Sequence, residues 1–379
     1  MNKFNWLQTI RLNLLVFKAV GLWPDGKGYK LNLYLLHGIT TTLVFAATQC
    51  ICQTWKLMTN LNDLEVITGT AFLSVSESLV VVKMSYLARN IKTFKKLLVM
   101  LNSHLFQPRS TKQVNLVAPS LNVWRFMYNL LGSSVTLAVI FYALTPILTG
   151  STKTHRLPFI ASYPFDTTSS PFYQIIYLHQ VASILFLAYI NVNLDTFLAA
   201  FSLYAGAQLD ILCDDFRNIE PDGFREELLL CVNRYREIIR FVKAYNVAFN
   251  WIIFIQFFAS TVSLGFTMFL LTVVEPLGAD FCAFLFYGSA VLLEIFIYCW
   301  FGNELQVKSE RVAVEAFHSR WPEVSYDTKH DFLFFLMKTQ NTVKISALGL
   351  FDLSLDTFLK ILKTAYSYFA LVSRLNSDE

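Results

Sequence analysis

The residues of this chain that could do chemistry are polar groups set inside apolar stretches. The last such stretch, 353–375, reads LSLDTFLKILKTAYSYFALVSRL and carries a polar stripe at helical spacing. The stripe consists of Thr357, Lys360, Thr364, Ser367, Leu371 and Arg374 or Leu375. Charged and amide groups are costly in hydrocarbon, so a helix that faces lipid gains nothing from such a stripe. The pattern therefore indicates a helix that lines water.

Two leucines of this stripe suggest how a water-filled conduit would be closed. Leu371 and Leu375 lie one helical turn apart, so together they could form an apolar constriction. The opposite face of the helix is apolar and carries Phe358, Ile361, Leu362, Ala365, Tyr368, Phe369 and Val372. Spacing alone leaves a second interpretation open, in which the helix packs inside a bundle and its polar atoms bond to neighbouring helices.

Ionisable residues inside other apolar stretches are the next candidates, because charge within a membrane span is usually functional. They are Glu77, Lys83, Asp195 and Glu294. Lys83 lies near the inner end of its span, where we expect its ammonium group to snorkel towards the lipid head groups. For Asp195 and Glu294 two hypotheses stay open. They either pair locally or line an aqueous ion exit between subunits.

Catalytic motifs are missing from the sequence. It contains no GxxxxGK[ST], HExxH, GxSxG or CxxC pattern, and its six histidines are scattered. The six cysteines give neither a disulfide framework nor zinc-type spacing. We therefore expect neither an enzyme nor a bound cofactor or metal.

Composition places the chain in a membrane. Of 379 residues, 55% are hydrophobic and only 15% are charged, against about a quarter in ordinary soluble domains. The net charge of +4 is too small to indicate a nucleic-acid partner. Apolar runs of spanning length lie at 31–55, 64–87, 121–148, 172–205, 247–274, 279–303 and 353–375. The sequence thus predicts an all-α membrane protein with seven transmembrane helices.

The segments between these runs complete the predicted domain organisation. Residues 1–30 form an interfacial helix and a turn, residues 31–205 hold helices one to four, and residues 247–303 hold helices five and six. The first segment would lay Phe4, Trp6, Leu7, Ile10, Leu14 and Phe17 on the bilayer surface. Segments 206–246 and 304–352 combine helical apolar spacing with mixed charge. We interpret them as cytoplasmic anchor helices, either folded on their own chain or shared between subunits; 353–379 is the last helix with an outer tail.

The basic residues orient the chain in the membrane. Of the lysines and arginines in the loops and the N-terminal segment, 22 fall on one side and four on the other. The positive-inside rule therefore places the N-terminus in the cytoplasm and, after seven spans, the C-terminus outside. G-protein-coupled receptors have the opposite orientation, and the chain lacks their DRY-like and NPxxY-like runs.

With these residues in view, the chain resembles the insect odorant receptor family. The stretch LFDLSLDTFLKILKTAYSYFALV (350–372) is similar to the family's signature around its last span. The preceding FFLMKTQNTVKISALG (334–349) is also similar, although the family usually has a proline near Asn341, and GLWP (21–24) looks like the family's entry into the first span. The family's co-receptor has a larger second cytoplasmic loop than 206–246, so the resemblance points to a ligand-tuning subunit.

The resemblance implies an odorant-gated, non-selective cation channel in the plasma membrane of sensory neuron dendrites. Four subunits, including the co-receptor, would surround one pore lined by their last helices within the membrane lipids. Leu371 and Leu375 look like the gate, while Ser367 and Arg374 would face the ions. An inward Arg374 would repel cations, unless it turned outward to Asp378, Glu379 and the terminal carboxylate. A gustatory-type ligand-gated channel and a secondary transporter are the alternatives.

The resemblance also implies an odorant pocket in the outer half of spans two, three, four and six. The residues at that depth are Phe72, Val75, Ser76, Ser134, Ala138, Phe141, Tyr142, Ile176, His179, Gln180, Ser183, Phe284 and Tyr287. Apolar burial would supply most of the affinity, at about 0.8 kcal/mol per methylene, with a hydrogen bond from a group such as Tyr142 or His179. The many aromatic residues favour an aromatic or heterocyclic volatile ligand.

Overall fold

The computed structural model describes residues 4–26, 28–60, 62 and 64–377, with only the backbone of residues 64–66 and 375–377. Over these ranges the chain is largely helical. The helices are α1 (Arg11–Ala19), α2 (Leu33–Thr41), α3 (Thr48–Thr59), α4 (Leu64–Arg89), α5 (Ile91–Leu101), α6 (Thr111–Leu148), α7 (Phe172–Arg217), α8 (Phe224–Val273), α9 (Ala279–Phe317), α10 (Tyr326–Thr339) and α11 (Leu355–Ser377). A π-helical segment, Thr42–Ala47, joins α2 to α3 in one continuous span. A two-residue hairpin pairs β1 (Ser346–Ala347) with β2 (Phe351–Asp352), antiparallel.

The predicted seven-helix membrane architecture is confirmed. Six helical stretches are long and apolar enough to cross a bilayer: Leu33–Thr59, Ile67–Arg89, Thr111–Leu148, Phe172–Arg217, Phe224–Val273 and Ala279–Glu323. The seventh is α11, whose 23 residues exceed the roughly 20 that a hydrocarbon core of about 30 Å requires. Its charged residues distinguish the composition of α11 from that of the other six spanning helices.

The segments interpreted as anchor helices are mostly inward continuations of the spanning helices. α7, α8 and α9 have 46, 50 and 39 residues, about twice what a crossing requires. Residues 206–217 prolong α7, residues 224–246 begin α8, and α9 continues to Phe317. Every residue of α7 from 192 to 216 is buried, so the inner half of this helix forms the centre of the layer.

The N-terminal segment packs on this layer instead of lying on lipid. Trp6, Ile10 and Phe17 are fully buried. The indole N–H of Trp6 donates to the carbonyl oxygen of Phe106 at 3.1 Å, and the Phe17 ring meets Phe197 edge-on at 5.4 Å. The predicted bilayer contact was therefore wrong for these three residues. The long inner helices offer an apolar surface that the amphipathic face of the segment covers.

Buried polar contacts tie this layer together. The Arg234 side chain, only 2% exposed, donates to the carbonyl oxygens of Leu105 at 2.8 Å and Gln107 at 3.1 Å, and forms an ion pair with Asp215. Its guanidinium group thus has partners from two other segments. A buried charge is tolerated when its hydrogen-bonding groups have partners in this way.

Candidate functional site

A cavity lies in the middle of the helix bundle, between α4, α6, α7 and α9. Its volume is about 90 Å³. Most of its wall is apolar, including Leu73, Val80, Leu131, Val135, Ile184 and Leu187. Its polar lining residues are Ser76, Glu77, Tyr142, Asn191, Tyr287 and Glu294. An apolar chamber with a few convergent polar groups is the usual form of a small-molecule site.

The cavity brings together several of the predicted pocket residues. Ser76, Ala138, Tyr142 and Tyr287 line it. The Ser76 hydroxyl lies 2.6 Å from the Tyr287 hydroxyl. Phe72 packs edge-on against Tyr287, with ring centroids 5.1 Å apart. These aromatic contacts form the outer end of the chamber, at the depth that the sequence predicted.

Two further predicted residues, Phe284 and Gln180, lie just outside the cavity lining and hold neighbouring groups in place. The Phe284 ring is buried and meets Phe72 at 5.5 Å. The Gln180 amide accepts from the Phe159 N–H at 3.0 Å and donates to the Phe159 carbonyl oxygen and to the Tyr163 hydroxyl, each at 3.1 Å. Gln180 therefore fastens part of the outer loop between α6 and α7.

This fastened segment covers the outer end of the cavity. The Phe159 ring lies 5.4 Å from Tyr142, which is itself part of the cavity wall. Burial raises the pKa of Tyr163 to about 12, so its hydroxyl remains protonated and neutral. The outer loop thus contributes a lid made of aromatic and uncharged groups.

His179 and Ser183 face elsewhere. The His179 imidazole bonds to the carbonyl oxygen of Val44 at 2.8 Å and stacks on Phe45, both in the first span. The Ser183 hydroxyl lies 3.4 Å from the same imidazole. These contacts join α7 to the first span, so the structure does not bring these two residues to the cavity.

Four other predicted residues also lie outside the cavity lining. The Ser134 hydroxyl is 2.6 Å from that of Ser289, and Phe141 stacks on Phe286 with centroids 5.5 Å apart. These pairs hold α6 against α9. The remaining two residues are Val75, which is half-buried, and Ile176, which is buried.

Lys83 is not a snorkelling residue. Its ammonium group is 1% exposed and donates to Asp195 at 2.6 Å, to Glu294 at 3.1 Å and to Asn191 at 2.9 Å. Acidic partners on α7 and α9 draw the side chain into the bundle, and the earlier expectation was wrong for that reason. For Asp195 and Glu294, the contacts within this chain are those of local pairing.

The inner end of the cavity was missed by reasoning from sequence. Asn191 and Glu294 line it there, deeper than the predicted outer half, whereas Glu77 follows Ser76 directly on α4. Glu77 and Glu294 carried a usable signal because they are acidic residues within spans. Asn191 carried none, since its place depends on the approach of α7 to α9.

The two faces of α11 have different surroundings. Leu353 just before the helix and Ile361 and Ala365 within it are buried, and α11 contacts α8 and α9. On the opposite face the exposed stripe residues are Lys360, Thr364, Ser367, Leu371 and Arg374. Thr357 departs from the predicted stripe, because it is buried and its hydroxyl donates to the Asp352 carbonyl oxygen at 2.7 Å.

The predicted gate is only partly described. Leu371 is 56% exposed, on the polar face. The side chain of Leu375 lies outside the described part of the chain, as do Asp378 and Glu379.

Taken together, the fold and these two sites define a seven-helix membrane receptor with an enclosed apolar chamber and a last helix of mixed polarity. The chain belongs to the 7tm Odorant receptor family, whose sequence pattern matches residues 63–366. It is similar to odorant receptor Or1 of Anopheles gambiae, 24% identical over 98% of this chain and 95% of that protein. It is also similar to odorant receptor 46a, isoform A, of Drosophila melanogaster, 26% identical over 94% and 95% of the two chains.

Solved structures share the fold. The insect olfactory receptor OR5 from Machilis hrabei in complex with eugenol superimposes with a TM-score of 0.85 over 98% of this chain and all of that chain, at 15% identity. The same receptor without a named ligand gives a TM-score of 0.84 over 96% of this chain and 97% of its own, at 16% identity. These relatives do not favour the gustatory-type or transporter alternatives.

Proposed function

We propose that this chain is a ligand-tuning subunit of an odorant-gated, non-selective cation channel. The observation that carries the proposal is the exposed polar stripe of α11, which no other part of the described chain covers. In a tetramer built around this helix, the stripes of four subunits would surround a single water-filled pore. The membrane location and the odorant receptor family follow from the fold and the sequence match.

The pore assignment is supported by the order of side chains along the stripe. Lys360, Thr364 and Ser367 would line the inner and middle conduit, and Leu371 with Leu375 would form the apolar gate. A ring of leucines can exclude water, and therefore ions, without a physical plug. Arg374 is exposed beside the gate and would reduce cation entry if it turned inward.

The ligand assignment is supported by the enclosed chamber. Ser76, Ala138, Tyr142 and Tyr287 would contact the odorant directly, with Phe72 beside them. The apolar wall would supply the affinity, and the aromatic end favours an aromatic or heterocyclic volatile. At about 90 Å³, the chamber is smaller than the engineered cavity of about 150 Å³ that binds benzene. Side chains must therefore move on binding, which provides a link to gating.

Assembly with the family's co-receptor is part of the proposal. Helix α10 exposes Phe334, 59%, and Met337, 66%, in the cytoplasmic layer. Large exposed apolar side chains of this kind favour coverage by another protein surface. A neighbouring subunit would cover them in a heterotetramer, embedded in the dendritic plasma membrane of a sensory neuron.

The proposal is tested by expressing the chain with a co-receptor and recording under voltage clamp while a panel of volatiles is applied. We expect cation currents within milliseconds of application, with internal GTP analogues having no effect. Currents that required G-protein turnover would contradict the channel assignment. The co-receptor expressed alone is the control, because it should not respond to the volatiles that this chain recognises.

A further inference from the structure

Carboxylates outnumber cations at the wall of the cavity and directly behind it. Glu77 and Glu294 line it, and Asp195 lies behind Glu294, bonded to Lys83 at 2.6 Å and to the Tyr298 hydroxyl at 2.7 Å. All three acids are buried, with Glu77 only 2% exposed. Among the described residues, Lys83 is the one lysine or arginine that pairs with any of them.

This arrangement leaves a charge imbalance. Lys83 bonds to both Asp195 and Glu294, so one ammonium group serves two carboxylates, and no ammonium group of the described ranges pairs with Glu77. Uncompensated charge inside a membrane protein is costly. The cluster is therefore stabilised by whatever brings positive charge to the cavity, either a proton or a cationic ligand.

Of the three carboxylates, Glu77 is the one whose oxygens are least saturated with hydrogen bonds. One of its oxygens accepts a long bond of 3.4 Å from Gln53, while Oε2 is buried and finds no hydrogen-bond partner in the part of the chain that the structure describes. By contrast, one oxygen of Glu294 accepts from Lys83, Asn191 and Gln256. The buried hydroxyl of Tyr142, in the same cavity, also has no hydrogen-bond partner among the residues described.

The rest of the lining fits an organic cation. The rings of Tyr142 and Tyr287 border the chamber, and aromatic faces attract ammonium groups. Most of the remaining wall is aliphatic, which suits a hydrocarbon body. An alkylamine resembles a lysine side chain, whose pKa of about 10.4 keeps it protonated at neutral pH.

From this geometry we propose that the receptor is tuned to small volatile amines, bound as ammonium ions with the nitrogen at Glu77 and the hydrocarbon against α6 and α7. The inference rests on the proposed function, since it specifies the ligand class of the same cavity. No covalent step is involved. Opening of the pore would follow from tighter binding of the ammonium ion in the open state than in the closed state.

The test compares isosteres on the receptor co-expressed with its co-receptor. Hexylamine is set against 1-hexanol and heptane, and benzylamine against benzyl alcohol and ethylbenzene, with peak current measured over a concentration series. We expect each amine to be effective at a concentration at least about tenfold lower than its alcohol. Glu77→Gln should raise the effective amine concentration at least about tenfold, while Glu77→Asp, which keeps the charge, should raise it less. The exposed outer carboxylate variant Glu275→Gln should leave all responses unchanged.

The outcomes distinguish a failure of the amine inference from a failure of the cavity assignment. Equal potency of amine and alcohol on the wild-type receptor would overturn the inference, as would an unchanged amine response in Glu77→Gln. If Glu77→Gln does not reach the cell surface, the wild-type isostere series and Glu77→Asp decide the matter. Ala138→Trp, which fills the chamber, should abolish the responses to both classes. If it changed none of them, the cavity assignment under the proposed function would fail instead.

Discussion

Lys83 shows how one residue can be decisive for a membrane fold. It joins α4 to α7 and α9 through Asp195, Glu294 and Asn191, all within 3.1 Å of its nitrogen. Removing one partner of a buried ion pair leaves an uncompensated charge, whereas removing all of them can be nearly neutral. The stability lost on substituting Lys83 should therefore depend on which of its carboxylate partners remain ionised.

We predict that Lys83→Met destabilises the receptor by about 3–5 kcal/mol, because both carboxylates lose their cation. Thermal unfolding of the purified protein in detergent, together with surface expression, measures the effect. Adding Asp195→Asn and Glu294→Gln should recover most of the loss, and Lys153→Met, in an exposed turn, should cost little. A Lys83→Met protein that unfolded at the wild-type temperature would contradict this interpretation.

Arg374 is the second residue with a testable charge effect. At about 4 Å and an effective dielectric constant near 20, two like charges repel by about 4 kcal/mol, so an inward arginine would hinder cations at the gate. We expect Arg374→Gln to increase single-channel cation conductance or shift the reversal potential in the heteromer. Lys153→Gln, far from α11 in sequence and exposed, is the control. Unchanged conductance and selectivity would mean that Arg374 does not face the ions.

At the scale of elements, the contact between α8 and α11 depends on a glycine. A methyl group at Gly265 would lie 2.8 Å from Cβ of Tyr368 and 3.3 Å from the carbonyl oxygen of Ala365. Because neither atom is the end of a flexible chain, the helices would have to separate. Gly132 in α6 offers a matched site, where an added methyl group meets no atom of the described residues within 4 Å.

Gly265→Ala should therefore displace α11, while Gly132→Ala should be silent or slightly stabilising because alanine favours helix. We expect the first variant to change the maximal odorant current at least about threefold at normal surface expression. Equal currents from the two variants, measured over the same concentration series, would show that α11 tolerates separation from α8.

The lid is a second element whose role can be measured. Gln180→Leu would remove three hydrogen bonds and leave the N–H and carbonyl groups of Phe159 unpaired, at a cost of about 1–3 kcal/mol for each group that stays buried. We expect odorant currents to decay faster after ligand removal, since the lid opens more often. Gln340→Leu, exposed in the cytoplasmic layer, should leave the decay unchanged. Slower or identical decay in Gln180→Leu would exclude a lid.

The sequence predicted the elements better than their contacts. Spanning helices follow from length and hydropathy, properties that a local window contains. The acidic partners of Lys83 lie 112 and 211 residues away, so no local pattern could reveal that the ammonium group turns inward. Likewise, amphipathic spacing predicted an apolar face for α1 and the turn before it. It could not predict whether this face contacts lipid or the inner helices.

For the pocket, depth along a span was a usable guide, while direction around the helix was not. Tyr142 and Tyr287 line the cavity, whereas His179 faces the first span. A helix has one rotational orientation that only its neighbours fix. Consequently, the predicted residues on α7 face different directions. The deeper end of the cavity near Glu294 was not predicted.

At the scale of the whole molecule, the described ranges of one chain leave the polar face of α11 without a covering surface, although the apolar face is packed. Leu371 is 56% exposed while Ile361 is 8% exposed on the opposite face. Within lipid, the exposed polar side chains would be costly, whereas around a common axis they would meet water. The assembly with other subunits is therefore what would make this helix stable in the membrane as well as functional.

We expect a cysteine at Leu371 to react with a water-soluble methanethiosulfonate reagent applied from outside, and to do so faster while odorant holds the channel open. The reaction should reduce the odorant current, because a charged adduct then occupies the constriction. A cysteine at Ile361 should not react, since that side faces α8 and α9. The native cysteines are buried or half-buried, so the unmodified receptor provides the baseline. If Leu371→Cys were inert in both states while Ile361→Cys reacted, the apolar face would border the water and the pore would have to be placed on the other side of the helix.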